Sequence, residues 1–325
     1  MGLNVRYLNE NTCCKNDVRS LLILHGMNFQ IDIVAPHQID ARQWDECIQK
    51  SDSPLIYARL DYLNYCCDNW SAIVINGYKL VMPIPWRKKL GLRYCYSVPF
   101  IQQLGYFSNG GSGFSSVCLS ALKRFCRYGD YAFNYSNNIQ GTLKNNFLID
   151  LSKNYSTIAG RYRTDVRKTV ENAMTAGFVY RPAEPAEVIA TYIDHYADRT
   201  PHVSTRDYKN FENLCKRLES SGSAIARKVE TAPGESMSMV LLLSDNGRLY
   251  NMMNCTTDAG RKQSANYFLY DRIFEEFSGR QLWFDFEGSD LEGVKAFYKK
   301  FGGILQPYPA IHINELPFPL SKIKP

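Results

Sequence analysis

The period of the apolar positions changes along the chain and divides it into stretches of different texture. Residues 29–34 alternate apolar and polar as a half-buried strand does, and residues 41–50 place Trp44 and Cys47 on one side of a helix. Two apolar runs, 70–76 and 78–83, meet around Asn76-Gly77, which predicts a hairpin because both residues accept positive φ. Lys88-Lys89-Leu90-Gly91 reads as an exposed turn, after which residues 93–99 are expected to continue the sheet. The glycine-rich stretch Asn109-Gly110-Gly111-Ser112-Gly113 precedes a helix predicted over 115–128; it reads as a mobile loop, without the lysine of a phosphate-binding P-loop. Residues 134–142 are polar, contain Asn137-Asn138 and read as a linker.

Beyond it the pattern predicts a strand at 146–151, a helix at 155–177, a strand at 178–181 and helices at 184–198 and 205–220. Strands at 223–229, 237–244 and 248–255 follow, the last two joined by the turn Ser244-Asp245-Asn246-Gly247, and then a helix at 264–277. Residues 282–303 read as strand, turn, helix. Trp283, Phe284 and Phe286 form an aromatic strand, Glu287-Gly288-Ser289-Asp290 supply turn and cap chemistry, and Val294, Phe297, Tyr298 and Phe301 recur at helical spacing. Gly302-Gly303 ends that helix before a last strand at Ile304-Leu305, since glycine tolerates the left-handed conformation of a helix terminus. The order is that of a mixed α/β (α+β) protein. Residues 1–28 show no sustained period and read as an extension; the boundary between two domains, 29–145 and 146–325, is expected near residue 145.

A length of 325 residues suits two domains of ordinary size, and 45% hydrophobic residues suffice for two cores. The net charge of +6 is a mild basic bias, compatible with phosphorylated substrates and far below that of dedicated nucleic-acid binders. Only Glu10 and Glu46 occur before residue 150, whereas the later half carries both signs densely, as two domains with different surfaces would. The ten cysteines contain no C-x-x-C pair and read as reduced residues of a cytoplasmic protein. Leu21-Leu22-Ile23-Leu24 is too short for a signal segment, no window reaches the ~18 apolar residues of a membrane span, and the five histidines lack metal spacing. No G-x-S-x-G nucleophile motif occurs.

The strand-turn-helix-strand unit with Phe297-Tyr298-Lys299-Lys300-Phe301-Gly302-Gly303 resembles the last β-α-β unit of the GNAT superfamily of acyl-CoA N-acyltransferases. It is closer to the FemAB-like branch: Asp285, Phe286, Gly288, Gly293, Phe297, Phe301, Gly302 and Gly303 match a DF-x-G strand end followed by a G-hydrophobic-x-x-F-K-x-x-FGG helix. Upstream, Arg163, Arg167, Lys168, Ala173 and Gly177 match that branch's basic R-x-x-x-RKA-x-x-x-G helix. The resemblance implies tandem GNAT-like domains, each a mixed, mostly antiparallel sheet flanked by helices, with the donor on the second domain and the acceptor between the two. It further implies transfer of an acyl or aminoacyl group from acyl-CoA or aminoacyl-tRNA to an amine, on a small molecule or a peptidoglycan precursor, with tRNA a candidate partner and no metal. The rival from another class is a binding protein that keeps the fold without catalysis.

Site roles follow from the same resemblance. Residues 257–265 correspond to the pyrophosphate loop, with Gly260, Arg261, Lys262, Ser264 and Ala265 around the donor, but Thr257 and Lys262 depart from its pattern; the alternative is a solvated basic turn capped by Ser264. Tyr298 matches the tyrosine that protonates a departing thiolate, and a phenol with an ordinary pKa of about 10 holds its proton at neutral pH. Lys299 is the neighbouring candidate, and Asp285 and Glu287 are candidates to accept an amine proton or hold an ammonium; the alternative is helix capping by Glu287 or Asp290. Tyr162, Val166, Val170 and Ala173 form an apolar helical stripe flanked by Arg163 and Arg167, a pair that suits a phosphate clamp as well as plain surface charge.

Overall fold

The computed structural model of the protein describes residues 18–24, 27–108, 113–288 and 290–323. The glycine-rich stretch, apart from Gly113, lies outside the described residues, as does Ser289 of the strand-end turn. The contacts divide the chain into two compact units, one running to Leu143 and taking back Tyr308–Pro325, the other formed by Lys144–Pro307.

In the first unit, β1 (Val18–Leu24), β2 (Met27–Val34), β3 (Trp70–Ile75) and β4 (Leu80–Pro85) form an antiparallel sheet, with α1 (Ala41–Gln49) and α2 (Leu60–Cys66) in the connection from β2 to β3. Every residue of β3 and β4 is buried, which is why these strands read as continuous apolar runs. β1 shows that part of the aperiodic segment 1–28 joins the sheet instead of trailing from it. The Asn76-Gly77 turn is longer than two residues: Asn76, Gly77 and Tyr78 all have positive φ, and Ile75 pairs with Leu80.

A second sheet contains β5 (Arg87–Lys89) and β6 (Leu92–Tyr94); β7 (Phe107–Ser108) closes the first sheet beside β4. After α3 (Phe114–Phe125), β8 (Tyr128–Ala132) and β9 (Thr142–Lys144) enter the second sheet. Regular structure stops at Tyr94, so the strand expected over 93–99 is mostly irregular chain. The expected linker at 134–142 is in part an interior segment: Asn134 donates to the Ser53 carbonyl at 2.9 Å, and Asn137 both accepts from the Tyr106 N–H and donates to its carbonyl. Side-chain amides that replace a strand ladder look like loop residues in a sequence.

The second unit starts with β10 (Phe147–Asp150), α4 (Tyr155–Gly160) and α5 (Thr164–Thr175), then β11 (Val179–Ala183), α6 (Pro185–Tyr196) and α7 (Thr205–Glu219). It continues with β12 (Ala224–Glu230), β13 (Ser236–Asp245), β14 (Arg248–Thr256), α8 (Asp258–Lys262), α9 (Ala265–Phe277), β15 (Trp283–Asp285), α10 (Glu292–Lys300) and β16 (Ile304–Leu305). Its seven-stranded sheet has the order β11-β12-β13-β14-β15-β10-β16, antiparallel except for the β14–β15 pair. β17 (Tyr308–Asn314) then pairs with β8, so the terminal segment expected within the second domain belongs to the first unit.

The single helix expected over 155–177 is two. The Arg163 N–H donates to the Lys300 carbonyl at 2.9 Å, and a Cβ on Gly302 would stand 2.8 Å from the Arg161 Cβ, so the end of α10 occupies the space where a continuous helix would pass. Arg163 is extended and starts α5 as its N-cap. The stripe Tyr162, Val166, Val170 and Ala173 is buried throughout, against the aromatic core that α9, α10 and β15 supply. Phe274 is central to it, with ring centroids of Phe284, Phe301, Phe286, Tyr270 and Tyr162 within 6.5 Å. Phe274→Ala is expected to cost about 3–5 kcal/mol, the range for emptying an aromatic core position, and a denaturant titration of the variant will read it.

Candidate active site

The sheet of the second unit opens at one place. β14 and β15 run parallel through Arg248↔Trp283, Leu249↔Phe284 and Tyr250↔Asp285, and there their pairing ends while β14 continues to Thr256 against β13. The β13–β14 register shifts at this level, with Leu241 opposite Met253 and Leu242 opposite Asn251, which makes Met252 the extra residue of a bulge. A bulge bends and twists its strand, and beyond Asp285 the outer half of β14 has no β15 partner; this unpaired stretch is the gap between the two strands.

α10 carries Tyr298 to this gap. Its ring stacks on Phe286 with centroids 4.2 Å apart and planes 22° apart, and only 8% of the residue is exposed. Burial above all, with the negative charges of Glu287 and Asp285 adding, raises the Tyr298 phenol above the ordinary tyrosine range. The phenol therefore keeps its proton near neutral pH. Tyr270 of α9 stands behind it, its hydroxyl accepting from Asn251 Nδ2 at 3.0 Å. α6 contributes Tyr192 and Tyr196, stacked with centroids 5.2 Å apart; burial pushes the Tyr192 phenol up to about 12.

The two candidate carboxylates have separate surroundings. Asp285 is fully buried: Oδ2 accepts from Arg248 Nη1 at 2.9 Å and Oδ1 from the Glu287 N–H at 2.9 Å, while Arg248 Nη2 donates to Gln306 at 3.1 Å. Burial pushes its carboxyl up and Arg248 pulls against that. With both oxygens committed, Asp285 fits a clamp and not a group that takes up an amine proton. The clamp holds Glu287 at φ 62°, in the left-handed region, and half-buried on the same side as Tyr298. Lys299 leaves α10 in another direction and is exposed, its ammonium 6.0 Å from the centre of the Phe147 ring.

Residues 257–265 fold as a short helix, α8, a tight turn and the start of α9. Thr257 caps α8, its hydroxyl accepting from the Gly260 N–H at 3.1 Å. Gly260 is buried against β13, where an added Cβ would stand 2.0 Å from the Met237 carbonyl oxygen, so the glycine serves close packing and a bulky replacement would disturb the fold. Ser264 does not cap: it has φ 55°, with no side-chain hydrogen bond to the helix, and Ala265 begins α9 fully buried. Arg261 is held by Asp258, the Thr256 carbonyl and the Tyr196 hydroxyl, whereas Lys262 is exposed. Arg163 and Arg167 are both exposed at the start of α5; Arg163 lies 3.3 Å from Asp165, which also pairs with Lys300 at 2.9 Å.

Sequence reasoning placed Tyr298, Glu287 and Asp285 together but missed Tyr192, Tyr196, Asn251 and Tyr270. Tyr192 and Tyr196 are four residues apart on a helix, a spacing that puts two rings on one face and could have drawn notice. The bulge has no sequence signature. Among the described residues no group of three or more His, Cys, Asp or Glu side chains has metal-binding geometry, and no helix is long and apolar enough to cross a membrane. Removing one partner of the buried pair, as in Asp285→Asn, is expected to cost about 3–5 kcal/mol, while Arg248→Met with Asp285→Leu should regain most of it. Thermal melts of the single and double variants give both numbers.

Residues 160–300 match the family model of the acetyltransferase (GNAT) domain. No curated protein sequence matches the chain. Among solved structures it is similar to FemX, at 14% identity over 88% of this chain and 98% of that one, with a TM-score of 0.62. It is also similar to a conserved protein of unknown function from Bacteroides thetaiotaomicron VPI-5482, at 9% identity over 84% and 96% of the two chains and a TM-score of 0.52. L-PGS from Bacillus licheniformis has 11% identity over 89% and 96%, with a TM-score of 0.51. At such identities the likeness concerns the fold, and it agrees with the mixed, mostly antiparallel sheets flanked by helices. The chain therefore carries a GNAT acyltransferase domain over residues 160–300, within a fold that FemX shares.

Proposed function

We propose that the protein transfers an acyl or aminoacyl group from an activated donor, acyl-CoA or aminoacyl-tRNA, to an amine. The observation that carries the reading is the buried Tyr298 ring, stacked on Phe286 where β14 and β15 part, with Glu287 near enough for its charge to act on the phenol. The donor carbonyl would lie in the gap, its oxygen toward the backbone amides of the bulge around Met252 and Met253. The amine attacks that carbonyl and gives up a proton to Glu287. The tetrahedral intermediate then collapses, the C–S or C–O bond to the donor breaks, and Tyr298 hands its proton to the departing thiolate or ribose oxygen. No enzyme-bound covalent intermediate is needed.

The aminoacyl-tRNA form of the donor has one specific support. A coenzyme pyrophosphate needs free backbone N–H groups at the loop before α9, but the Gly260 N–H is already taken by Thr257 and a Cβ at Gly260 would run into β13. What lies exposed there instead is charge: Lys262 before α9, and Arg163 and Arg167 at the start of α5, whereas Arg261 is paired with Asp258. Such groups suit a phosphodiester chain. FemX as a fold relative is compatible with this donor and with a peptidoglycan-precursor amine as acceptor, and a small-molecule amine remains the alternative acceptor. A fold kept only for binding predicts ligand retention without turnover.

The test presents the protein with an acyl-CoA series and with charged tRNA, in the presence of peptide and small-molecule amines, and follows product by mass. Tyr298→Phe is expected to lower turnover by about 10²–10⁴-fold, the usual contribution of a positioned acid, and to leave donor affinity nearly unchanged; full turnover in that variant removes Tyr298 from the chemistry. Arg163→Gln with Arg167→Gln is expected to weaken tRNA binding and to flatten its dependence on salt by about 0.7–0.9 log unit for each phosphate that is no longer neutralised. Filter binding across a salt series measures this, and an unchanged slope would leave these arginines as surface charge.

A further inference from the structure

Two large apolar side chains of the first unit stand in solvent more fully than any others among the described residues: Leu90, 92% exposed, and Phe318, 83% exposed. They come from segments far apart along the chain, and the sheet that holds β5, β6, β8 and β17 brings both to the same end. Arg87 pairs with Tyr94, Tyr94 with Tyr128 and Tyr128 with Asn314. One level further out, the Arg127 N–H donates to the Arg93 carbonyl at 3.0 Å and the Glu315 N–H to the Arg127 carbonyl at 2.8 Å. Beyond that row the β5–β6 hairpin projects on one side and the chain after β17 on the other. The second segment is held there, since Asn314 Nδ2 donates to the Ser321 carbonyl at 3.1 Å.

The tip of the hairpin is not built for water. Lys89 pairs with Leu92, so Leu90-Gly91 is a two-residue turn, with φ 49° at Leu90 and 81° at Gly91. Positive φ at both central positions favours Asn-Gly, and a leucine placed there gains neither from solvent nor from packing. The charge around the two apolar residues leaves one sign over. Lys88, Lys89, Arg127 and Lys322 are exposed, and none of them is in an ion pair with a described residue. The nearby acids are matched, Asp68 by Arg87 at 2.6 Å and Glu315 by Lys123 at 3.2 Å. Apolar tips bordered by spare cations complement a surface that is anionic outside and apolar within. We propose that this end of the sheet docks on an anionic lipid bilayer, with Leu90 and Phe318 entering the headgroup region and the basic side chains set against lipid phosphates. A nucleic-acid strand would use the cations, but it offers an aliphatic tip no apolar phase to enter. The assignment does not rest on the transfer reaction, because docking is read with no donor present.

The experiment is cosedimentation of the full chain with vesicles of phosphatidylglycerol and phosphatidylcholine in equal parts, against vesicles of phosphatidylcholine alone. Binding to the mixed vesicles is expected, about tenfold or more above that to the neutral ones and falling as salt rises, because screening acts on exposed charge. Lys88→Gln with Lys89→Gln should weaken it by about fivefold for each lysine removed. Leu90→Asn should weaken it about tenfold or more, the factor for a leucine side chain kept out of an apolar phase. Asparagine suits this turn, so a thermal melt of that variant is expected to show no loss of stability. Absence of binding to the mixed vesicles, equal binding to both kinds, binding that Leu90→Asn with Phe318→Ser keeps, or displacement by an RNA homopolymer would overturn the docking surface.

Discussion

The gap between β14 and β15 depends on a buried ion pair at its base. The side chains of Arg248 and Asp285 are almost fully removed from water and meet at 2.9 Å, Asp285 from the last level where the two strands still pair and Arg248 from the first. Taking two charges out of water costs several kcal/mol per ion, and the pair survives only where its remaining donors and acceptors are also satisfied. Gln306 and the Glu287 N–H do that. The same bonds tie β14, the end of β15 and the chain after β16 to one point, so the divergence beyond it starts from a fixed origin. The bulge at Met252 sets the direction of that divergence.

On this base the aromatic core acts as a positioning device. Phe286 leaves β15 immediately after Asp285 and carries the stacked ring of Tyr298, while Phe301, three residues further along the chain, packs against Phe274 and Tyr162. Flat rings in contact on several edges have few ways to shift together, because interiors pack as densely as organic crystals. α10 is further held at its end, where the N–H groups of Gly302 and Gly303 bond back to the Lys299 and Tyr298 carbonyls and Gly302 turns left-handed. The cost of placing Tyr298 is thus spread over a core that the fold requires in any case.

Local patterns were legible in the sequence, and partners distant along the chain were not. The strand, helix and glycine stop of residues 282–303 could be read because aromatic alternation, helical spacing and Gly302-Gly303 all act within a few residues. The break of the 155–177 helix could not be read from Gly160 alone, since a single glycine is tolerated within a helix; the end of α10, some 140 residues later, fills the path at that point. β17 escaped for the same reason, as its partner β8 lies far upstream. The interior role of Asn134 and Asn137 was hidden because the same amides mark an exposed loop when their partners are water. Of the site, Tyr298 and Glu287 were read from short-range motifs. The commitment of Asp285 to Arg248 needed knowledge of which strands are neighbours.

The division between the two carboxylates shows how one strand end separates structure from chemistry. Asp285 and Glu287 are two residues apart, and in a regular strand they would share a face and titrate against each other. The positive φ at Glu287 breaks that regularity and turns its side chain out of the line of Asp285. Asp285 can then keep its charge matched by Arg248, while Glu287 stands in a half-buried setting beside a phenol whose proton burial retains. In the proposed reaction, an acid that holds its proton and a carboxylate outside the buried pair are the two groups that would move protons across the acyl transfer. The clamp's value lies in keeping them apart from the charge that stabilises the fold.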